Sequence, residues 1–166
     1  MTDNDSSLNQ GVAPAVAYLA LGSNLGDRSW HLAEAIARLR SNDRIRVVKA
    51  AAPLETEPMY VEDQPRFLNT CVKIHTTFDP AGLLDAVLGI EQAMGRERTV
   101  RNGPRLIDID VLLYADLVVD EGSLTLPHPK MLEREFVLAP LAQIAGDVVH
   151  PQTQRTIAEH LRNLAD

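Results

Sequence analysis

The chain has 166 residues, 45% of them hydrophobic, and a formal net charge of -7. That suits a soluble globular protein long enough for a real core, and the acidic balance argues against a general nucleic-acid binder. No apolar run approaches the roughly 20 residues that span a bilayer, and a single cysteine excludes a disulfide framework within one chain.

Residues 1–15 are polar and punctuated by Pro and Gly. They read as a disordered tail, with neither the basic nor the apolar region of a signal peptide. Residues 16–166 read as one domain, and nothing suggests export, so the expected location is the cytoplasm. "VAYLALG", residues 16–22, is a buried strand ending in Gly. Asp27 caps a helix to about Ser41 with Leu32, Ile36 and Leu39 as its apolar stripe. "IRVVKAAAPLE", from Ile45, is a second strand, stopped near Pro53 or Pro58. Residues 56–66 form an extended polar loop, and a third strand starts at Phe67. Asp79 caps the next helix, Pro80 takes its first position, Leu83, Val87, Ile90 and Met94 form one face, and Gly95 closes it. Cys71, in a strand-like run, reads as a buried apolar filler.

The strand from Ile107 carries the oddity. Ile107, Ile109, Val111 and Leu113 share one face; Asp108 and Asp110 share the other with Leu112 and Tyr114. Residues two apart lie roughly 7 Å apart on one face. Two carboxylates there repel by on the order of 2 kcal/mol at an effective dielectric near 20. The strand is either solvated on that face or built for a divalent cation, and two carboxylates completed by phosphate oxygens and waters suit Mg²⁺. A hairpin at "LVVDEGSLTLPHP" follows, and the C-terminal third mixes short helices and loops, ending in a helix near residues 155–164. The order βαββαβ, with that C-terminal hairpin and helix extension, is an α+β pattern of the ferredoxin-like kind, a sandwich with a largely antiparallel sheet.

Just before the D-x-D strand, residues 96–105 hold Arg96, Arg98, Arg101 and Arg105 against one Glu. This is either a solvated basic loop or a bidentate phosphate binder. Carboxylates beside arginines are how phosphoryl-transfer sites are assembled. "GSNLGD", residues 22–27, is either a plain turn or a backbone cradle for a polar group. Thr56, Glu57, Phe67 and Asn69 surround one loop–strand corner, and an amide beside an aromatic ring suits a flat heterocycle, with Phe136 available for its other face; core or turn positions are the bland alternative. His128, Lys130 and Arg134 follow the hairpin as phosphate-side candidates.

Together, "AYLALGSNLGDR", "TEPMYVEDQPRFLN", "GRERTVRNGPRLIDIDVLLY" and "LPHPKMLEREFVLAPL" resemble the 6-hydroxymethyl-7,8-dihydropterin pyrophosphokinases of folate biosynthesis, with "GPRLIDID" the most specific signature. The resemblance implies a ferredoxin-like α+β fold. It implies transfer of pyrophosphate from ATP to the dihydropterin hydroxymethyl group, with release of AMP. It places two Mg²⁺ ions on Asp108 and Asp110, and phosphates on Arg96, Arg98 and Arg105, which with the aspartates form the catalytic set. It assigns Val111, Thr125, His128 and Arg134 to ATP, and Thr56, Glu57, Met59, Asn69, Phe67 and Phe136 to the pterin. The expected partners are these two substrates, with no nucleic acid, no membrane and a monomeric state. Asn102, where some relatives carry Trp, and a slightly short loop from Gly95 to Pro104 bear on how that loop closes. The loops around 57–66 and 96–104 hold little apolar material and are expected to be loosely held. Two rival readings are a nucleotidyltransferase, in which Gly-Ser lies closer to its carboxylate pair, and a ferredoxin-like binding module without catalysis. Aromatic content of 4% speaks against an RNA-stacking sheet.

Overall fold

The computed structural model describes residues 13–58, 63–95 and 106–165. Its elements are β1 (Ala15–Ser23), α1 (Arg28–Arg40), β2 (Ile45–Ala50), β3 (Leu54–Thr56), β4 (Phe67–Thr76), α2 (Pro80–Ala93), β5 (Asp108–Tyr114), β6 (Val119–Glu121), β7 (Leu124–Leu126), a 3₁₀ turn (Met131–Glu133), α3 (Glu135–Ala145) and α4 (Ile157–Ala165). The main sheet runs β2-β4-β1-β5 with every neighbouring pair antiparallel. β4 is therefore inserted between the parallel strands β1 and β2, which is the split βαβ arrangement of the ferredoxin-like fold.

Local chemistry starts and stops both long helices. The Asp27 carboxylate accepts from the Trp30 N–H at 3.1 Å, and Asp79 accepts from Gly82 at 2.7 Å. Just past the end of α2, Gly95 turns the chain with a φ of +85° that an L side chain resists.

Two features depart from the sequence-based expectation. The strand expected from Ile45 onward is split, because its path breaks at residues 51–53 and resumes as β3 further along β4. Pro53 has no N–H for a ladder. The break is pinned by the Ala51 N–H on the Cys71 carbonyl at 2.9 Å, by Thr70 Oγ1 donating to the Ala51 carbonyl at 2.7 Å, and by the Ala52 N–H on Gln143 of α3 at 3.0 Å. The second departure is a bulge. Tyr18 pairs with Leu113 but Leu19 pairs with Val111, which leaves Leu112 as the extra residue. Alternation reverses beyond it. Leu113 joins Leu112 on the face expected for the aspartates, and Tyr114 packs on the opposite core, with its hydroxyl donating to the Phe78 carbonyl.

Both faces of the sheet are covered. Leu19, Leu21, Ile74 and Ile109 meet Leu32 and Leu39 of α1 and Leu83 and Val87 of α2. On the other face Tyr18, Cys71, Leu112 and Leu113 meet Met131, Leu138, Leu141 and Ile157. Each fully buried leucine contributes roughly 2 kcal/mol. Cys71 is wholly buried, as expected, and burial pushes its thiol far above the ordinary range, so it is a filler and no nucleophile. No described helix is long and apolar enough to cross a membrane.

Candidate active site

Strand register assembles the polar residues. Gly22 of β1 pairs with Asn69 of β4 on one side and Asp108 of β5 on the other. Two residues along, Ala20 lies between Cys71 and Asp110. Directly paired residues share a face, so both carboxylates and the Asn69 amide lie on the face that α3 covers elsewhere. Gly22 keeps the row open: a Cβ there would lie 2.7 Å from Asn69 Oδ1. Asn69 is 6% exposed and donates through Nδ2 to Thr56 Oγ1 at 2.7 Å, tying the end of β3 to the row.

Two clefts open on this row. The narrower, about 70 Å³, is lined by Thr56, Glu57, Phe67, Asn69 and Phe136. Two aromatic rings and one buried amide make it a slot for a flat polar ring. The wider, about 390 Å³, is lined by Val111, Thr125, His128 and Glu91. Asp108, Asp110 and Arg134 line both. Arg134 sits where the 3₁₀ turn passes into α3, with its guanidinium carbon 5.6 Å from the Phe136 ring centre. Of the described side chains read from the sequence as ligand contacts, all but Lys130 line one cleft or both. Met59, Arg96, Arg98, Arg105 and Asn102 lie outside the described residues.

The hairpin places His128. Its backbone N–H donates to the Leu112 carbonyl at 2.9 Å, which fastens the chain after β7 to the β5 strand. Burial, helped by the Arg134 charge and opposed by Asp108, pulls the His128 pKa down to about 4. His128 is neutral at pH 7, so its 3.9 Å approach to Asp110 is a dipolar contact and not an ion pair. Asp110 keeps 36% of its side chain exposed. Among the described residues no three His, Cys, Asp or Glu groups gather round one point. Two hard carboxylates with room beside them are a donor set for Mg²⁺, which keeps waters and takes phosphate oxygens, and a poor one for softer ions.

Among the cleft residues with a carboxylate or amide side chain, Glu91 and Gln64 escaped the sequence reading. Glu91 is 2% exposed and accepts from the Ile109 N–H at 2.7 Å, which fixes the strand between the aspartates. Its signal was present: 83, 87 and 91 step by four along the apolar face of α2, and a carboxylate in that stripe is out of place. Gln64 lines the narrow cleft from a polar loop that offered no periodicity. Of the stretch 22–27, Gly22 lines the narrow cleft, residues 24–27 line neither cleft, and Asp27 caps α1.

An aromatic slot holding the Asn69 amide and a wider polar cleft share the two carboxylates. The family model of 7,8-dihydro-6-hydroxymethylpterin-pyrophosphokinase matches residues 18–146. The chain belongs to that family. The 2-amino-4-hydroxy-6-hydroxymethyldihydropteridine pyrophosphokinase of Methylorubrum extorquens is 50% identical over 133 residues, covering 80% of this chain and 84% of that protein. The folic acid synthesis protein fol1 of Schizosaccharomyces pombe is 46% identical over 149 residues. There the match covers 90% of this chain but 20% of the fungal protein, so this chain spans about a fifth of that relative's length. In structure, the wild-type HPPK-DHPS of Plasmodium falciparum superposes with a TM-score of 0.73 at 15% identity, over 94% of this chain and 46% of that one, which supports the pyrophosphokinase-family fold.

Proposed function

We propose that the chain transfers the terminal pyrophosphoryl group of ATP to the hydroxymethyl oxygen of 6-hydroxymethyl-7,8-dihydropterin, releasing AMP. The observation that carries this is the meeting of two chemically different clefts on Asp108, Asp110 and Arg134. A reaction between two bound substrates needs such a shared wall, because most of its barrier is lowered by holding reacting atoms in line.

In this reading Thr56, Glu57, Met59 and Asn69 take the rim of the pterin, and Phe67 and Phe136 its faces. Asn69 presents an amide already oriented by Thr56, so no rotamer freedom is lost on binding. Val111, Thr125, His128 and Arg134 hold ATP, with Arg96, Arg98 and Arg105 on its phosphates. Neutral His128 has a ring N–H to donate without adding charge. Asp108 and Asp110 would hold two Mg²⁺ ions. Bound there, the metal supplies neutralisation of the triphosphate charge. Glu91 holds the β5 backbone between them, and Arg134 brings positive charge to the wall that both clefts share.

Incubation with ATP, Mg²⁺ and the dihydropterin tests the reading. Equal amounts of AMP and dihydropterin diphosphate are expected, and chelation of the metal abolishes both. Formation of ADP, or release of free pyrophosphate, contradicts it.

A further inference from the structure

Asn24 lies in the β1–α1 turn, 1% exposed and outside both clefts. Its Nδ2 donates to Gln64 Oε1 at 2.8 Å and to the Pro65 carbonyl at 3.0 Å, bonds that reach 40 and 41 residues along the chain. A carbonyl only accepts, so the Pro65 bond fixes which end of the Asn24 amide faces this segment. Gln64 must then turn its oxygen toward Asn24, and Gln64 lines the narrow cleft. Arg28, the first residue of α1, grips the same segment. It donates to the Arg66 carbonyl at 2.9 Å and pairs with Glu55 at 2.7 Å. Arg66 in turn holds both oxygens of Glu57, at 3.2 and 2.9 Å, and Glu57 also lines the narrow cleft. The sequence predicts a loosely held loop over 57–66, yet its residues 64–66 are tied at three points to one turn.

We propose that Asn24 and Arg28 are positioning residues that latch the rim carrying Gln64 and Glu57 onto the β1–α1 turn, so that the dihydropterin cleft is formed before its ligand arrives. The inference rests on reading the narrow cleft as the dihydropterin cleft. Neither residue lines it. Their effect is on the fraction of molecules whose rim is in place, and apparent affinity falls in proportion to that fraction. The two members are unequal. The Asn24 bonds are made by a side chain shut off from water, where losing a partner is costly. The Arg28–Glu55–Arg66–Glu57 chain is exposed, so each pair is weak and screened by salt.

The test compares wild type with Asn24→Ala, Asn24→Asp and Arg28→Ala. Amide exchange is read over residues 63–68 without ligand, and kcat and both KM values are read with substrates. Both Asn24 variants should exchange roughly tenfold faster there, because a carboxylate cannot donate to two acceptors either. Their KM for the dihydropterin should rise by about tenfold, with kcat and the KM for ATP within about twofold. Arg28→Ala should show about a twofold rise that vanishes at high salt. Unchanged exchange and KM in the Asn24 variants overturn the latch. So does a joint loss of kcat and of both affinities, which marks the turn as a general support of the fold. If Asn24→Ala does not fold, Gln64→Ala removes the receiving amide from a part-exposed position. That variant must then show the same faster exchange at residues 66–68, and wild-type exchange there overturns the proposal. The exchange measurement needs no substrate. A chain that makes no product therefore sinks the proposed reaction, while the hold of Asn24 on residues 63–68 is still read from exchange.

Discussion

Gly22 is small because Asn69 is beside it. The Cβ of an alanine would lie 2.7 Å from Asn69 Oδ1 and 3.8 Å from the Phe67 ring, on a strand that cannot shift without moving both aspartates. Gly22→Ala is expected to cost roughly 1–3 kcal/mol of stability as overpacking. It should also raise the KM for the dihydropterin by about tenfold or more while the KM for ATP holds; an equal loss for both substrates would place Asn69 outside the ring slot. Asp110→Asn tests the carboxylate pair. The side chain is 36% exposed, so removing its charge should leave the melting temperature unchanged or slightly higher, since a repulsion with Asp108 is lost. Single-turnover rates should fall by roughly 10²–10³-fold or more. A variant that is unfolded, yet active in its folded fraction, makes Asp110 structural. The aspartates were legible in the sequence because a strand has period two and a charged pair on it stands out. Gln64 was not, because its place in the cleft comes from a bond to Asn24 that no local pattern encodes.

At the scale of elements, the caps were legible and the registers were not. Asp27 and Asp79 mark helix starts because a cap is completed within three residues. The split of the second strand and the Leu112 bulge arise between strands, where spacing along one strand carries no information. The C-terminal clip is another non-local device. His150 is 3% exposed, and its Nδ1 accepts from the N–H groups of Gln152 at 3.2 Å and Thr153 at 3.4 Å. Its ring stands edge to face with His160, 5.9 Å between centres, and His160 bonds Thr153 Oγ1 at 2.7 Å. Burial, then the neighbouring His160, holds the His150 pKa below 6.5. Below pH 6.5 the unfolded chain therefore binds more protons at this site than the folded one. The stability it contributes is present above that pH and is lost as pH falls through it toward the folded value. Amide protection of α4 should drop from about pH 7 to about pH 5, and His150→Asn should flatten that dependence. Protection that rises on acidification contradicts the assignment.

For the whole molecule, the sheet is closed by helices on both faces, and its edges decide association. β2 is an edge strand carrying exposed Arg46 and Lys49, with a register shift between Val47 and Lys49 that interrupts its ladder. Charges and an irregularity on an edge oppose pairing with a second sheet. Light scattering is expected to give the mass of one chain at micromolar concentration; a stable dimer would show that this edge, or another surface, pairs.

By itself the sequence determined the two long capped helices, the βαββαβ order of the main elements and the two aspartates. These follow from hydrophobic period, capping and turn chemistry, which act over a few residues. It also carried the motifs by which the family is recognised. Tertiary structure alone decided that Asp108, Gly22 and Asn69 form one row, that Leu113 and Tyr114 exchange faces, and that Arg134 belongs to both clefts. It also joined Asn24 and Arg28 by hydrogen bonds to residues 64–66. The reason is physical: register, bulges and side-chain bonds across 40 residues are settled by which strands and turns meet, and a local pattern is compatible with several such meetings.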